Sequence, residues 1–268
     1  RKTALQNFEL KGFPTKKDEE YKYTNLKEIT EKEYNFFPTE EHNISKEQLD
    51  VLHLGEENFD RIVFINGKLH KEFSKISIGN AEFLSFGYAL NDSAHKEAFD
   101  QYFNTIANRD LAFTNLNSAY CNFGFFLRVP KNVVIEKPIH IFYLSQNQED
   151  ITFYNTRNLL IVEEGAKVEI IESHHNFDDT FVFTNSVTEI FTYQNAKADW
   201  HKVQNDSDTS YLMDHTFAKQ ERDSLTTVNT FTFGGKLVRN NLSFIHNGEN
   251  INSFMNGITI IGGEQTVD

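Results

Sequence analysis

The stretch TFTFGGKLVRNNLSF, residues 230–244, carries the pattern that decides the fold. Phe231 and Phe233 alternate with threonines, and Leu242 and Phe244 flank a serine. Because successive side chains of a β-strand point to opposite faces, this alternation predicts two short strands that each have one apolar face. The Gly-Gly pair between them marks a tight corner. The segment therefore predicts β structure that turns at short intervals.

The same rhythm extends from about Phe123 onward. Short runs of β-branched and aromatic residues are separated by corner residues such as Gly165, Asn195, Asn247-Gly248 and Asn256-Gly257. The chain has only four prolines, so little of the backbone is blocked from ladder hydrogen bonding. A long all-β region can fold as an antiparallel sandwich or barrel, or as a parallel solenoid. No clean repeat period separates these solutions, so the residues alone leave both open.

The first hundred or so residues mix helix and strand signals. Ser45 and Gln48 form the pattern of a capping box at a helix start. Residues 61–65, RIVFI, predict a short strand, and Asn66-Gly67 tolerates the positive φ angles of a hairpin turn. An apolar stripe at helical spacing, which we expect to pack in the core, consists of Phe99, Tyr102, Phe103 and Ile106. This region therefore predicts a mixed α/β domain.

Composition excludes several classes of protein. In 268 residues, 26 Lys and Arg stand against 39 Asp and Glu, and the net charge of -13 argues against a general nucleic-acid binder. The mean hydropathy is -0.51, and no run of 18 apolar residues predicts a membrane span. The only cysteine, Cys121, excludes internal disulfides, a Cys-rich zinc site and a self-contained iron–sulfur site.

The same observations bear on the compartment. A single cysteine fits a reducing setting, and no signal-peptide pattern follows Arg1, so we expect a cytoplasmic protein. Because the chain opens without an initiator methionine, we also expect an upstream piece to be missing.

A few acidic and histidine residues are candidates for metal or acid–base chemistry. Adjacent residues of a strand face opposite sides, so His174 and His175 cannot easily bind one ion together. Glu172 and His174 share a face and could form half of a Zn or Fe site, whereas the more common alternative is a solvated turn. Glu169 also lies close to the two histidines in sequence. Two further pairs, Asp199 with His201 and Asp214 with His215, could be acid–base or ligand pairs, although surface pairs at strand edges are more common.

No motif predicts a catalytic apparatus. Cys121 would need an activating base that the sequence does not identify, and packing is its more common role. Gly234-Gly235-Lys236 and Gly262-Gly263 do not match phosphate-binding loops, and no H-E-x-x-H or G-x-S-x-G motif occurs. The residues therefore predict no catalytic site, no cofactor-binding residue and no metal ligand, and we expect no ATPase activity from this chain.

Five segments, taken in order, resemble the SufB/SufD family of iron–sulfur cluster assembly proteins. They are PTKKDEEYKYTNL (14–26), LNSAYCNFGFFLRVPKNVVIEKPIHIFY (116–143), LLIVEEGAKVEIIESH (159–174), TNSVTEI (184–190) and GGKLVRNNLSFIHNGENINSFMNGITIIGGEQTVD (234–268). The resemblance covers nearly the whole chain. The short N-terminal region with its Y-K-Y-T signature is more similar to the SufD branch than to the SufB branch.

The resemblance implies a fold. Members of the family have an N-terminal helical domain, a right-handed parallel β-helix core and a C-terminal helical domain. We therefore expect a mainly β chain, with a small mixed α/β domain at residues 1–111 and the β-helix at 112–268. The family's C-terminal helical domain is not expected within this chain, so we expect a fragment, a proteolysed product or a protein with a disordered tail.

The resemblance also implies a role. We expect a non-catalytic scaffold subunit with a SufB-like paralogue and a SufC-like ATPase as partners. In the family, the ATPase contact lies in the C-terminal part that is missing from this chain. The whole complex builds the cluster, so this chain alone is expected to bind no cofactor stably and iron weakly or not at all. In isolation it is expected to form a homodimer. The alternative is a β-helix carbohydrate-active enzyme, a polysaccharide lyase or hydrolase, which would need clustered carboxylates, whereas the acidic residues here are scattered.

Overall fold

The fold was determined as a computed structural model, which describes residues 1–36, 38–52, 59–107, 110–146, 151–178 and 180–268. The helices are α1 (Lys2–Lys11), α2 (Lys27–Thr30), α3 (Lys46–Leu52), α4 (Phe86–Asn91), α5 (Lys96–Tyr102) and α6 (Ala112–Tyr120). The first strands are β1 (Asp60–Ile65), β2 (Lys68–Leu69), β3 (Glu82–Ser85), β4 (Phe123–Val129), β5 (Ile139–Ser145), β6 (Thr152–Val162) and β7 (Lys167–Asn176). The remaining strands are β8 (Val182–Thr192), β9 (Lys197–Gln204), β10 (Ser210–Glu221), β11 (Leu225–Thr232), β12 (Leu237–Asn247), β13 (Asn252–Thr259) and β14 (Thr266–Val267).

The strands from β4 onward form a parallel solenoid of about five turns. One sheet has the order β13-β11-β9-β7-β5-β1-β2, and the other has the order β14-β12-β10-β8-β6-β4-β3. Each turn of the chain thus adds one strand to each sheet, and from β4 onward every strand pair is parallel. The prediction of a mainly β chain with a parallel β-helix core is confirmed, and the antiparallel sandwich is excluded.

The register explains why the sequence shows no clean period. Leu160, Ile190, Ala218 and Phe244 are successive partners on one ladder. The intervals between these residues shorten along the chain, so each coil is slightly smaller than the one before it. A ladder with a drifting interval does not repeat at a fixed spacing, although its residues stack in space.

Stacked corners hold the coils together at one edge. The corner residues adopt positive φ and are Asn132, Gly165, Asn195, Asp223 and Asn250. The amide of Gly165 donates to the carbonyl of Gln194, and the amide of Asn195 donates to the carbonyl of Arg222, at 3.0 and 3.2 Å. Each corner therefore bonds to the residue just before the next corner, which satisfies backbone groups that a turn would otherwise leave unpaired.

The N-terminal region supplies the first strands of both sheets. Strand β1 pairs in parallel with β5, and β3 pairs in antiparallel fashion with β4. The predicted hairpin is confirmed, since β1 and β2 pair across Asn66 and Gly67, whose φ angles are 49° and 81°. The capping box is also confirmed, with Gln48 Oε1 2.8 Å from the amide of Ser45. The division at residue 111 stays a prediction.

The stripe of residues 99–106 packs in the core, but only part of it is helical. Phe99 is buried with Phe86 and Phe126. Helix α5 ends at Tyr102, because Phe103 turns to an extended conformation with φ -61° and ψ 125°. The extended backbone brings three amides of residues 104–107 to the carboxylate of Glu189. A continued helix would not form these three hydrogen bonds.

The two faces of the second sheet have different neighbours. Inside the solenoid, alternating residues such as Leu127, Ile170 and Trp200 form the main apolar core. On the outer face, α1 and α6 and the segment around Tyr21 cover strands β6, β8 and β10. As a result, β6 and β8 are buried on both faces. The Y-K-Y-T segment, residues 21–24, also packs on this outer face, because the guanidinium of Arg239 on β12 lies 4.3 Å from the centre of the Tyr21 ring.

Candidate functional site

A cluster of charged and polar side chains occupies one end of the solenoid interior, which we call the lumen cluster. It consists of Glu172, His174, Trp200, Lys202, Asp214 and Thr216. Strand β7 places Val168 and Ile170 inward before Glu172 and His174, since all four alternate along one face. The interior therefore changes from apolar to polar along the direction of the strands.

The cluster is closed by hydrogen bonds. Glu172 accepts from the indole N–H of Trp200 at 3.0 Å and contacts Nε2 of His174 at 2.9 Å. The ammonium of Lys202 donates to Oδ2 of Asp214 at 2.5 Å and to Oγ1 of Thr216 at 2.7 Å. Lys202 is the register partner of Glu172, so one cation lies between two buried carboxyl groups.

Burial and the ammonium of Lys202 shift the pKa values of Glu172 and Asp214. Burial raises the pKa of Glu172, but Lys202 and the hydrogen bonds from His174 and Trp200 outweigh it and leave that pKa below its ordinary value. Burial also raises the pKa of Asp214, and Lys202 opposes that effect only in part. The shared, hydrogen-bonded lysine therefore offsets part of the cost of burying the two carboxyl groups.

The structure corrects the favoured interpretation of Glu172 and His174. They do not lie on a solvated turn, since the two residues are only 2% and 8% exposed. They do share a strand face and contact each other, as the alternation predicts. Within the described residues, no group of three or more His, Cys, Asp and Glu side chains comes together in a way that could hold a metal ion.

The other sequence candidates separate in the structure. His175 is most of the way buried on the opposite face from His174, and burial lowers its pKa to about 4. The expected surface pair of Asp214 and His215 is wrong, since the two residues are only 2% and 0% exposed and face opposite sides of β10. They form no acid–base pair either: Asp214 contacts Lys202, whereas His215 packs near Phe113 outside the solenoid.

The pair of Asp199 and His201 lies on the outer face of the first sheet. His201 contacts Glu169 at 3.2 Å, and Asp199 contacts Lys197 at 2.8 Å. Both contacts lie on the outer face of the sheet, in agreement with the expected surface position, and such contacts contribute little to stability.

Cys121 and the glycine pairs have structural surroundings. Cys121 is fully buried, and burial raises the pKa of its thiol, which disfavours the nucleophilic thiolate. The backbone amide of Gly235 donates to the carbonyl of Asp206 at 2.9 Å, at a corner between coils. Gly262 and Gly263 lie in an exposed turn before β14.

A second buried network, on the outer face, joins the N-terminal region to the solenoid. Arg157 and Glu189 form an ion pair with both side chains fully buried. The guanidinium also donates to Asn104 at 2.8 Å and lies 4.8 Å from the Phe103 ring centre. Asn117 of α6 donates to the carbonyl of Asn185 at 2.9 Å. The network therefore fixes helix α6 and residues 103–107 on strands β6 and β8.

Sequence reasoning missed Lys202, Trp200, Arg157 and Glu189. Each stands in an alternating run where it passes for an ordinary surface residue. The sequence does not show the register between strands. Residues 172 and 202 are recognised as neighbours only when the number of residues in each coil is known. A solenoid with a drifting interval hides that number.

Comparison with known proteins decides the family. The model of the SufBD protein N-terminal region matches residues 1–141, and the model described as "SUF system FeS cluster assembly, SufBD core domain" matches residues 142–268. The chain belongs to the SufBD family. The match extends over the helical cover and the solenoid alike, and it displaces the carbohydrate-active alternative.

Curated relatives agree with this assignment. The chain is 27% identical to an iron–sulfur cluster assembly SufBD family protein of Synechocystis, over 95% of this chain and 58% of the relative. It is 27% identical to the chloroplastic protein ABCI7 of Arabidopsis thaliana, over 96% of this chain and 54% of the relative. It is 24% identical to the iron–sulfur cluster assembly protein SufD of Escherichia coli, over 96% of this chain and 57% of the relative. The chain thus spans little more than half the length of these relatives.

None of the helices in the described ranges combines the length and the apolar character needed to cross a bilayer.

Proposed function

We propose that this SufBD family chain is a SufD-like, non-catalytic scaffold subunit that supports iron–sulfur cluster assembly in the cytoplasm. The observation that carries the proposal is the match of both family models, which together account for residues 1–268. A relative named SufD aligns over 96% of the chain. The partners proposed are a SufB-like paralogue and a SufC-like ATPase.

A scaffold role is consistent with the chemistry of the described residues. The single thiol of Cys121 is buried and has a raised pKa, whereas a cluster is usually held by four thiolates. The lumen carboxyl groups are engaged by Lys202, Trp200 and His174. We therefore propose that the cluster is cargo assembled by the whole complex, and that this chain alone binds iron weakly or not at all.

Co-expression tests the proposal. Full-length protein would be produced with the SufB-like paralogue and the ABC-type ATPase encoded in the same genome, and the complex would be isolated through a tag on this protein alone. We expect both partners to co-purify in fixed ratio and ATP turnover to require the ATPase subunit. The proposal fails if neither partner co-purifies, or if this protein alone hydrolyses ATP.

The isolated chain is expected to self-associate. Phe254, Met255 and Ile258 of β13 are each about half exposed. Exposed apolar side chains that lie together are typical of surfaces that contact another chain. Sedimentation at micromolar concentration should show a dimer, and a strictly monomeric species would contradict the expectation.

A further inference from the structure

A small cavity lies inside the lumen cluster. Its volume is about 10 Å³, and Lys202, Gln204 and Asp214 are among its lining residues. Gln204 and Asp214 are 5% and 2% exposed. Oε1 of Gln204 and Oδ1 of Asp214 have no hydrogen-bond partner in the part of the chain that the structure describes. Two residues that line this cavity thus each carry a buried acceptor oxygen that receives no hydrogen bond from the described residues.

The same cavity has a donor on its wall. The ammonium of Lys202 carries three N–H groups, and two of them are used by Asp214 Oδ2 and Thr216 Oγ1. A third N–H remains for a group inside the cavity. Buried polar atoms of native proteins are nearly always satisfied by protein or by ordered water. The cavity therefore offers one donor and two acceptors to a single small ligand.

Charge and volume determine which ligand fits. A cation would be repelled by the Lys202 ammonium, and an anion would be repelled by the Asp214 carboxylate. About 10–15 Å³ of this kind of volume holds one water and little else. We propose that the lumen binds a water molecule that accepts from Lys202 Nζ and donates to Asp214 Oδ1 and Gln204 Oε1.

A second cavity of about 30 Å³ extends the polar interior. It is lined by Asp206, Tyr143 and Thr156, and His174 lines both this cavity and the first one. His174 therefore connects the linings of the two cavities. The bound water solvates the Lys202–Asp214 pair from its inner side, which lowers the desolvation penalty of a buried ion pair.

Water ¹⁷O relaxation dispersion tests the proposal, because it counts long-lived internal waters and does not depend on proton exchange. The purified chain would be compared with the double variant K202M/D214L, which removes the cavity's donor and one acceptor. The matched control is K197M/D199L, which removes a lysine–aspartate ion pair from the outer face of β9, the strand that also carries Lys202. We expect the lumen variant to lose the amplitude of about one long-lived water and the control to lose none.

A third variant guards against misfolding of the lumen variant. Gln204→Met keeps the ion pair and the side-chain length but removes one acceptor. It is expected to reduce the dispersion amplitude or to shorten the residence time of the water. The proposal is overturned if the unmodified chain shows no long-lived water, or if folded K202M/D214L and Q204M both keep the full amplitude.

Discussion

Replacing Glu189 by glutamine should release the N-terminal cover from the solenoid. Oε1 of Glu189 accepts the amides of Ile106 and Ala107 at 3.2 and 3.1 Å, and Oε2 accepts the amide of Asn104 at 2.9 Å together with Arg157. A glutamine has only one acceptor oxygen, so its NH₂ group would face backbone N–H donors. The charge on buried Arg157 would also lose its partner.

The magnitude follows from the burial of this pair. Both side chains are 0% exposed, and removal of one partner of such a pair costs about 3–5 kcal/mol. A chain of this size loses about 2 °C in melting temperature for each kcal/mol, so Glu189→Gln should lower Tm by about 6–10 °C. Urea unfolding followed by circular dichroism would measure the free energy of unfolding directly.

An exposed pair provides the control. Lys131 and Glu164 lie 2.8 Å apart with about half of each side chain exposed, so Glu164→Gln should cost less than about 1 kcal/mol. A double-mutant cycle of Arg157→Met and Glu189→Leu should give a coupling energy of about 2–3 kcal/mol, because each single variant leaves a buried group unpaired. Equal losses for Glu189→Gln and Glu164→Gln, or strictly additive single variants, would refute the reasoning.

Three further predictions concern a close backbone contact and two histidines. Gly124→Ala would place a Cβ 2.1 Å from a carbonyl oxygen at φ +103° and should cost more than about 3 kcal/mol in urea unfolding, whereas Gly79→Ala, at φ +59° with open space, should cost only about 1–2 kcal/mol. The hydrogen bond to Glu82 raises the pKa of His95 above its ordinary value of 6.5. The stability that protonated His95 contributes should therefore be complete below about pH 6.5 and be lost as the pH rises through the raised pKa. The His95→Gln variant should make the free energy of unfolding less dependent on pH in this range. Burial lowers the pKa of His215 to about 3, so its NMR resonances should stay those of a neutral ring down to about that pH, and stability should fall between pH 6.5 and 3; titration near 6.5 would contradict this.

The sequence predicted local structure well because local structure depends on neighbouring residues. The Asn66-Gly67 hairpin and the capping box at Ser45 involve contacts within a few positions, and both are confirmed. The alternation of polar and apolar residues identified strands but could not choose between parallel and antiparallel pairing. That choice came from the family resemblance, since the coil interval drifts.

The candidate site was harder to predict for a physical reason. An inward-facing Lys202 has the same sequence pattern as an outward-facing one, because alternation does not tell which face is buried. Its burial is tolerated only because Asp214 and Thr216 lie within hydrogen-bond distance across the solenoid. Those partners belong to the other sheet, so no local pattern links them to residue 202.

Four of the five segments that carry the family resemblance meet where the helical cover contacts the solenoid. The side-chain amide of Asn117 in the LNSAY segment donates to the carbonyl of Asn185, which belongs to TNSVTEI. Glu189 of TNSVTEI accepts three backbone amides from residues 104–107. The Tyr21 ring of the YKYTNL segment lies under Arg239 of the last quoted segment. These motifs are far apart in the chain, yet each supplies one side of the contact between the helical cover and the solenoid. Because buried polar contacts need both partners, each motif requires the other. In this chain these segments therefore fasten the N-terminal region onto the coils, and loss of one of them should loosen the whole cover rather than one strand.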